Sequence, residues 1–227
     1  MTDGEALKDW TEAGRRLFAG PCDFVFAAAQ AEGLPPVGPP EVAFAGRSNV
    51  GKSSLLNALT GRRMLARISK TPGRTRQINF FDLDGRLMLV DLPGYGYAEA
   101  PKNEVRRWTT LLRRYLQTRA ALRRVCLLID SRHGVKDSDY PMMLMLDDAG
   151  VSYQIVLTKT DKVGTGELAL VAERTRAEMT THAAAHPELH MTSALQGRGI
   201  AALRAALAGF ATVPVLPSVM AAPARPR

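Results

Sequence analysis

An α/β fold with a mostly parallel mixed sheet flanked by helices is predicted by three observations. From Glu41 onward, apolar runs of strand type alternate with stretches of helical periodicity, the pattern of a sheet covered on both faces. Between the first strand-like run, VAFA, and the first helix-like one, SSLLNAL, lies GRSNVGKS, which fits GxxxxGK followed by Ser or Thr and marks a P-loop NTPase in this strand-loop-helix setting. Two later runs, INFF and LMLV, are joined only by DLDGR, a connection short enough for an antiparallel hairpin with Asp84-Gly85 at its turn.

In chain order, a helix is expected around Ala6 to Phe18. GLPPVGPP, Gly33 to Pro40, reads as a stiff extended connector, and the main domain begins at Glu41. VAFA and SSLLNAL follow, then the INFF and LMLVDL pair, then the helical VRRWTTLLRRYL. Next come VCLLID with DYPMMLMLDDA, YQIVLT with ELALVAERTRAEM, and finally ALRAALAGF. The Pro- and Ala-rich tail PVLPSVMAAPARPR should be disordered. The expected organisation is thus an N-terminal helix and connector over 1–40, a nucleotide-binding domain over 41–211 and a tail over 212–227. No internal repeat is visible.

With 46% hydrophobic residues in 227, the chain can bury the core of one domain. Its opening, MTDGEALKDW, is polar and acidic, and no apolar run approaches the roughly 18 residues of a membrane span, so a soluble, cytoplasmic protein is expected. Cys22 and Cys126 are far apart and form no CxxC pair, which suits buried reduced thiols. The net charge of +8 is concentrated: residues 62–124 hold fifteen Lys or Arg against five Asp or Glu. Such a block suggests a polyanionic partner, or else a merely solvated basic surface.

In GRSNVGKS the candidate phosphate-binding residues are Gly46, Arg47, Ser48, Asn49, Val50, Gly51, Lys52 and Ser53. The glycines let successive backbone N–H groups curl around a phosphate, and the following helix directs its positive end at the same anion. Lys52 adds a mobile positive charge, and Ser53 offers a hydroxyl to Mg²⁺. A second strand-like run ends in DLPG, Asp91, Leu92, Pro93 and Gly94. Asp91 has the form of the carboxylate that helps hold magnesium through water, and Gly94 can present its N–H to the terminal phosphate.

ATP and GTP share their phosphates, so the base must be read elsewhere. TKTD, Thr158, Lys159, Thr160 and Asp161, follows the apolar YQIVL and resembles the NKxD element of guanine-nucleotide binders. The Asp161 carboxylate can accept from guanine N1–H and its exocyclic amine, a donor pair adenine lacks, and discrimination by such a group spans several powers of ten. Lys159 would lay its stem along the base, while Thr158 in place of Asn removes an amide and would loosen the site. Thr192, Ser193 and Ala194, after LHM, look like the loop that closes over the guanine oxygen with a backbone N–H.

Taken together, GRSNVGKSSLLNALTGR, SKTPGRTRQINFF, DLPGYGYA, TKTD and TSA resemble the EngB (YihA/YsxC) bacterial ribosome-assembly GTPases, from about Leu17 to Phe210. The resemblance implies a Ras-like GTPase domain, Mg²⁺-dependent GTP binding and hydrolysis, and a role in maturing the large ribosomal subunit. It makes Thr75 in TPGRT the first-switch threonine that joins Ser53 on Mg²⁺ and acts with Lys52 in catalysis; Thr71 is the competing candidate. Gly73, Arg74, Thr75, Arg76 and Gln77 would cover the nucleotide. The expected partners are GTP, GDP and the large subunit or its RNA, with no membrane and no DNA, for a monomeric protein.

In Ras-type enzymes a Gln just after DxxG orients the attacking water, whereas here Tyr95 follows Gly94. Slow hydrolysis in isolation is therefore expected, raised by a partner. Asn49 resembles the asparagine that binds K⁺ in some GTPases lacking the Gln, so K⁺ is a candidate cofactor beside Mg²⁺. On a helical wheel Val105, Trp108, Leu112, Tyr115 and Leu116 share one face, and Arg106, Arg107, Arg113 and Arg114 the other. Because this helix follows DLPGYGYA, its arginines, joined by Arg74 and Arg76, make a candidate RNA-binding surface that responds to the terminal phosphate. His182, His186 and His190 are spaced by four, but Pro187 should end the helix between them and no Cys joins the set, so a metal site is not expected. The alternatives are a switch with a non-ribosomal protein effector, for which no lipidation signal is visible, and a P-loop kinase, against which TKTD argues.

Overall fold

In the computed structural model, which describes residues 3–62, 77–96 and 102–212, the elements follow one another as α1 (Asp3–Ala19), β1 (Cys22–Ala28), β2 (Glu41–Gly46), α2 (Lys52–Thr60), β3 (Ile78–Leu83), β4 (Leu87–Asp91), α3 (Lys102–Thr118), β5 (Leu122–Asp130), α4 (Tyr140–Asp148), β6 (Tyr153–Thr158), α5 (Thr165–Met179), β7 (His190–Met191) and α6 (Ile200–Ala208). The strands make one sheet in the order β1-β3-β4-β2-β5-β6-β7. Contacts from β4 through β2, β5 and β6 to β7 are parallel; β1–β3 and β3–β4 are antiparallel.

The near-continuous apolar runs of the central strands have a simple cause. Successive side chains point to opposite faces, and both faces are covered. Ala43 and Ala45 of β2 and Val125, Leu127 and Ile129 of β5 join one core with Leu112 and Tyr115 of α3 and Met143 and Leu146 of α4. Val42 and Phe44, Cys126 and Leu128 join the other with Leu17, Leu55, Leu59, Leu203 and Leu207 from α1, α2 and α6. Burial pushes the Cys126 thiol up to about 12 and the Cys22 thiol up to about 11, so both stay protonated.

The β3–β4 hairpin turns where Asp84 and Gly85 both take positive φ, 58° and 64°, as a type I′ turn requires. Arg86 N–H closes it on Leu83 O at 3.0 Å.

The segment before Glu41 is built into the domain. β1 lies at the sheet edge against β3, and a bulge between Phe24 and Phe26 interrupts its register. The sequence reading contains no such strand, because its partner lies some fifty residues downstream and the bulge breaks the period-2 pattern. Helix α1 packs on α6, where a Cβ at Gly14 would come within 2.7 Å of Ala205 N. The connector is held as well: Arg119 donates to Glu41 Oε1 (2.7 Å), Pro35 O (2.6 Å) and Pro36 O (3.3 Å), and Tyr115 OH donates to Glu41 Oε2 (2.9 Å). This buried cluster fixes the C-terminal end of α3 to the start of β2. Helix α5 ends at Met179, earlier than Pro187, because Thr180 and Thr181 turn their hydroxyls onto Ala177 O and Glu178 O. His182 is then a structural side chain, with Nδ1 2.5 Å from Asp147 Oδ2.

Candidate nucleotide site

At the carboxyl edge of the sheet, where ligands sit in open α/β folds, β2 delivers the phosphate loop between β4 and β5. Gly46 cannot carry a side chain, since a Cβ would meet Val50 Cγ1 at 2.9 Å and Leu128 O at 3.0 Å. Asn49 (φ 64°) and Gly51 (φ 107°) are left-handed, which curls the chain into α2. Val50 contributes only backbone, its side chain being buried in the core under α2. Lys52 pairs its ammonium with the carboxylate of Asp91 at the end of β4, and Ser53 follows in the first turn of α2. A hydroxyl and a carboxylate at this place are hard oxygen donors of the type Mg²⁺ takes. Gly73, Arg74, Thr75, Arg76 and the competing Thr71 lie outside the described residues; Gln77 is exposed just before β3.

The DLPG segment lies along the phosphate loop. Leu92 N–H donates to Phe44 O (3.0 Å), Tyr95 N–H to Gly46 O (3.3 Å) and Ser48 N–H to Tyr95 O (3.0 Å). A Cβ on Gly94 would sit 3.0 Å from Ser48 Oγ, so any larger residue here would crowd the phosphate loop. Leu92 is a core side chain and Pro93 is buried. Tyr95, at the position of the water-orienting Gln, is 5% exposed. Its hydroxyl donates to Asp139 Oδ1 at 2.8 Å, and burial, reinforced by Asp139, pushes that hydroxyl far above its ordinary pKa. Arg47 points to the same carboxylate, with Nε 3.1 Å from Asp139 Oδ1. Sequence reasoning missed Asp139, which sits at the start of α4 and also accepts Lys136 N–H at 2.9 Å.

The base end is a cavity of about 150 Å³ lined by Gly51, Ser54, Leu55, Thr158, Lys159, Asp161, Lys162, Thr192, Ala194 and Leu195. Asp161 Oδ1 accepts Ser193 Oγ–H at 2.6 Å, and Ser193 Oγ accepts Gln196 N–H at 3.1 Å. The Ser193 hydrogen bond holds the Asp161 carboxyl below its ordinary pKa, so it is an ionised acceptor at neutral pH. Thr158 does not loosen the site: its hydroxyl donates to Val50 O at 2.6 Å, linking β6 to the phosphate loop. Lys159 Nζ makes a second link, to Asn49 O at 2.6 Å. Thr160 lies beneath the cavity, 1% exposed, with its N–H on Thr192 O at 3.2 Å. Its side chain does not line the cavity. Ser54, Leu55, Lys162 and Leu195 escaped the sequence reading because each lies one or two positions beyond a motif.

Helix α3 exposes Arg106, Arg107, Arg113 and Arg114 and buries Leu112, Tyr115 and Leu116. Leu111, 2% exposed, belongs to the buried face, whereas Val105 is 36% exposed, because the first turns of α3 reach beyond the sheet core. Among the described residues no helix is long and apolar enough to cross a membrane, and no group of His, Cys, Asp and Glu could hold a metal ion by itself.

Residues 41–159 match the model of a family described as 50S ribosome-binding GTPase. The chain is 56% identical over 217 residues to the probable GTP-binding protein EngB of Rhodospirillum rubrum, covering 93% of this chain and 94% of that one. Against that of Cereibacter sphaeroides the identity is 57% over 197 residues, 87% and 91% of the two chains. The crystal structure of a probable GTP-binding protein engB superposes with a TM-score of 0.55 at 25% identity, covering 72% of this chain and 94% of that one. Era in complex with MgGDPNP and nucleotides 1506–1542 of 16S ribosomal RNA shares the fold, with a TM-score of 0.58 at 19% identity over 81% of this chain and 61% of that one. A P-loop, a DLPG segment laid along it and a cavity ending in Asp161 thus belong to a guanine-nucleotide-binding GTPase, and the chain is a member of the EngB family.

Proposed function

We propose that this GTPase is a nucleotide-controlled assembly factor for the large ribosomal subunit, docking on its RNA through the arginine face of α3. The carrying observation is the position of that helix. Its apolar face is buried in the core, its C-terminal end is fixed by Arg119 and Tyr115 to Glu41, and its first residue, Lys102, follows Gly96 at the end of the phosphate-contacting segment by only six positions. In this reading a rearrangement of Gly94 is passed to the amino end of α3, near Arg106 and Arg107. The description of the matching family as a 50S ribosome-binding GTPase supports the ribosomal partner.

In this reading, backbone N–H groups of Asn49 to Ser53 surround the β-phosphate and Lys52 moves from Asp91 to the phosphates. Magnesium would be held by Ser53 and Thr75, with Asp91 assisting through water, and would there supply positive charge to offset that of the transferring phosphoryl group. Gly94 presents its N–H to the terminal phosphate, Gly73 to Gln77 cover it, and Asp161, Lys159 and Ala194 hold the guanine. Tyr95 is tied to Asp139 and supplies no water-orienting amide, so hydrolysis is slow until the pre-ribosome orders the switch segments or adds the missing group.

The test is charge reversal. Arg106, Arg107, Arg113 and Arg114 changed together to Glu are expected to abolish cosedimentation with large subunits at moderate salt while GTP affinity stays within twofold, since phosphate contacts are electrostatic and sequence-independent. Unchanged cosedimentation removes the proposed docking surface.

A further inference from the structure

Asp130, at the carboxyl end of β5, is absent from every nucleotide motif in the sequence, yet it is 5% exposed and surrounded by donors that lead to the base cavity. Its carboxylate accepts Lys159 Nζ–H at 2.9 Å, Arg132 Nε–H at 2.9 Å and Nη2–H at 2.7 Å, and the Arg132 backbone N–H at 3.1 Å. Burial alone would raise its pKa, but the Arg132 and Lys159 donors outweigh burial and hold the carboxyl well below the usual carboxylate range. Lys159 is left-handed, φ 57°, and so is Asn49, φ 64°, whose carbonyl accepts the same ammonium.

The consequence concerns the lysine's freedom. A Lys side chain has much rotamer freedom to lose, and a stem meant to lie flat along a purine must be held before the base arrives. Here the ammonium has two fixed acceptors on opposite elements, Asp130 on β5 and Asn49 on the phosphate loop. Between them the stem crosses Gly51, with Cε 3.6 Å from where a Cβ on that glycine would be. Asp130 is also paired in register with Thr158, whose hydroxyl makes the parallel link to Val50 O. A threonine hydroxyl donates once, whereas an asparagine amide donates twice, so Lys159 carries the second tie between base cavity and phosphate loop.

We infer that Asp130 is a positioning residue for guanine-nucleotide binding: through Lys159 Nζ it fixes the lysine stem along the base and ties the base cavity to the Asn49 carbonyl of the phosphate loop. Arg132, whose side chain is 45% exposed, caps the carboxylate from the solvent side. The inference rests on the placement of Lys159 at the base cavity under the proposed function, and it does not depend on the ribosomal role.

A double-mutant cycle with fluorescent GDP and GTP tests it, using the full chain with Asp130→Asn, Lys159→Ala and both. Asp130→Asn is expected to weaken GDP and GTP alike by about tenfold, within the range of coupled contacts, and to add less than twofold once Lys159 is already Ala. A purely structural Asp130 would cost the same in both backgrounds, so an undiminished effect in the Lys159→Ala protein overturns the inference, as does wild-type affinity in Asp130→Asn. If Lys159→Ala itself binds GDP normally, the placement of Lys159 at the base fails first, and the inference with it. Should Asp130→Asn not fold, Arg132→Ala replaces it, because that side chain is exposed and outside the core. A loss of about threefold, the scale of an exposed ion pair, that vanishes in the Lys159→Ala background supports the inference, and a loss that persists there or never appears overturns it.

Discussion

The two ends of the nucleotide site are held in different ways. At the base end the polar groups bond to one another and to the phosphate loop, Ser193 to Asp161, Thr158 to Val50 O and Lys159 to Asn49 O, around a cavity already shaped. At the phosphate end the charges are paired among themselves, Lys52 with Asp91 and Arg47 with Asp139, and the N–H of Ser48 is taken by Tyr95 O. Binding at the base end fills a space. Binding at the phosphate end exchanges partners, and an exchange of partners is what a switch needs. Under the proposed function, specificity belongs to the base end and nucleotide response to the end whose bonds can be traded.

The largest expected effect breaks the rigid end. Asp161→Ala removes the only carboxylate of the cavity lining among the described residues, and the preference for GTP over ATP should fall by about 10³-fold or more, measured by competition for bound fluorescent GDP. A retained preference would place base reading elsewhere. Next, Lys52→Ala strips the ammonium that trades Asp91 for phosphate. GDP and GTP affinities should drop by about 100-fold, as for truncating one partner of a buried charge pair, and an unchanged affinity would mean the exchange does not occur.

A smaller effect sharpens the boundary between switch and chemistry. Tyr95→Phe deletes one buried hydrogen bond to Asp139 and should cost about 1–2 kcal/mol of stability in denaturant unfolding, while single-turnover hydrolysis stays unchanged. A loss of hydrolysis without loss of stability would give the Tyr95 hydroxyl a catalytic part. The smallest effect concerns Asn49: if it holds K⁺ at the phosphate end, hydrolysis is faster in K⁺ than in Na⁺, and equal rates remove that ion.

Most of the fold and the motif half of the site were legible because their signals are local. Gly46 and Gly51 are required by backbone crowding and positive φ, and the strand runs show burial on two faces within six or so residues. Asp84-Gly85 announced its turn for the same reason. What was not legible depends on partners distant in sequence. β1 needs β3, Asp139 needs Tyr95 and Arg47, and Asp130 needs a lysine just past the next strand; an isolated Asp at the end of an apolar run carries no mark of which cation it will face. The effect of Thr158 was misjudged on the same ground, since nothing local shows that its hydroxyl reaches Val50 O.

If the terminal phosphate, through the Gly94 segment and α3, controls docking on the large ribosomal subunit, association must follow the bound nucleotide. Cosedimentation of the purified protein with isolated large subunits, compared in a non-hydrolysable GTP analogue, in GDP and without nucleotide, tests it most directly. Strong association is expected with the GTP analogue alone; equal association in all three states, or none in any, would rule out this control.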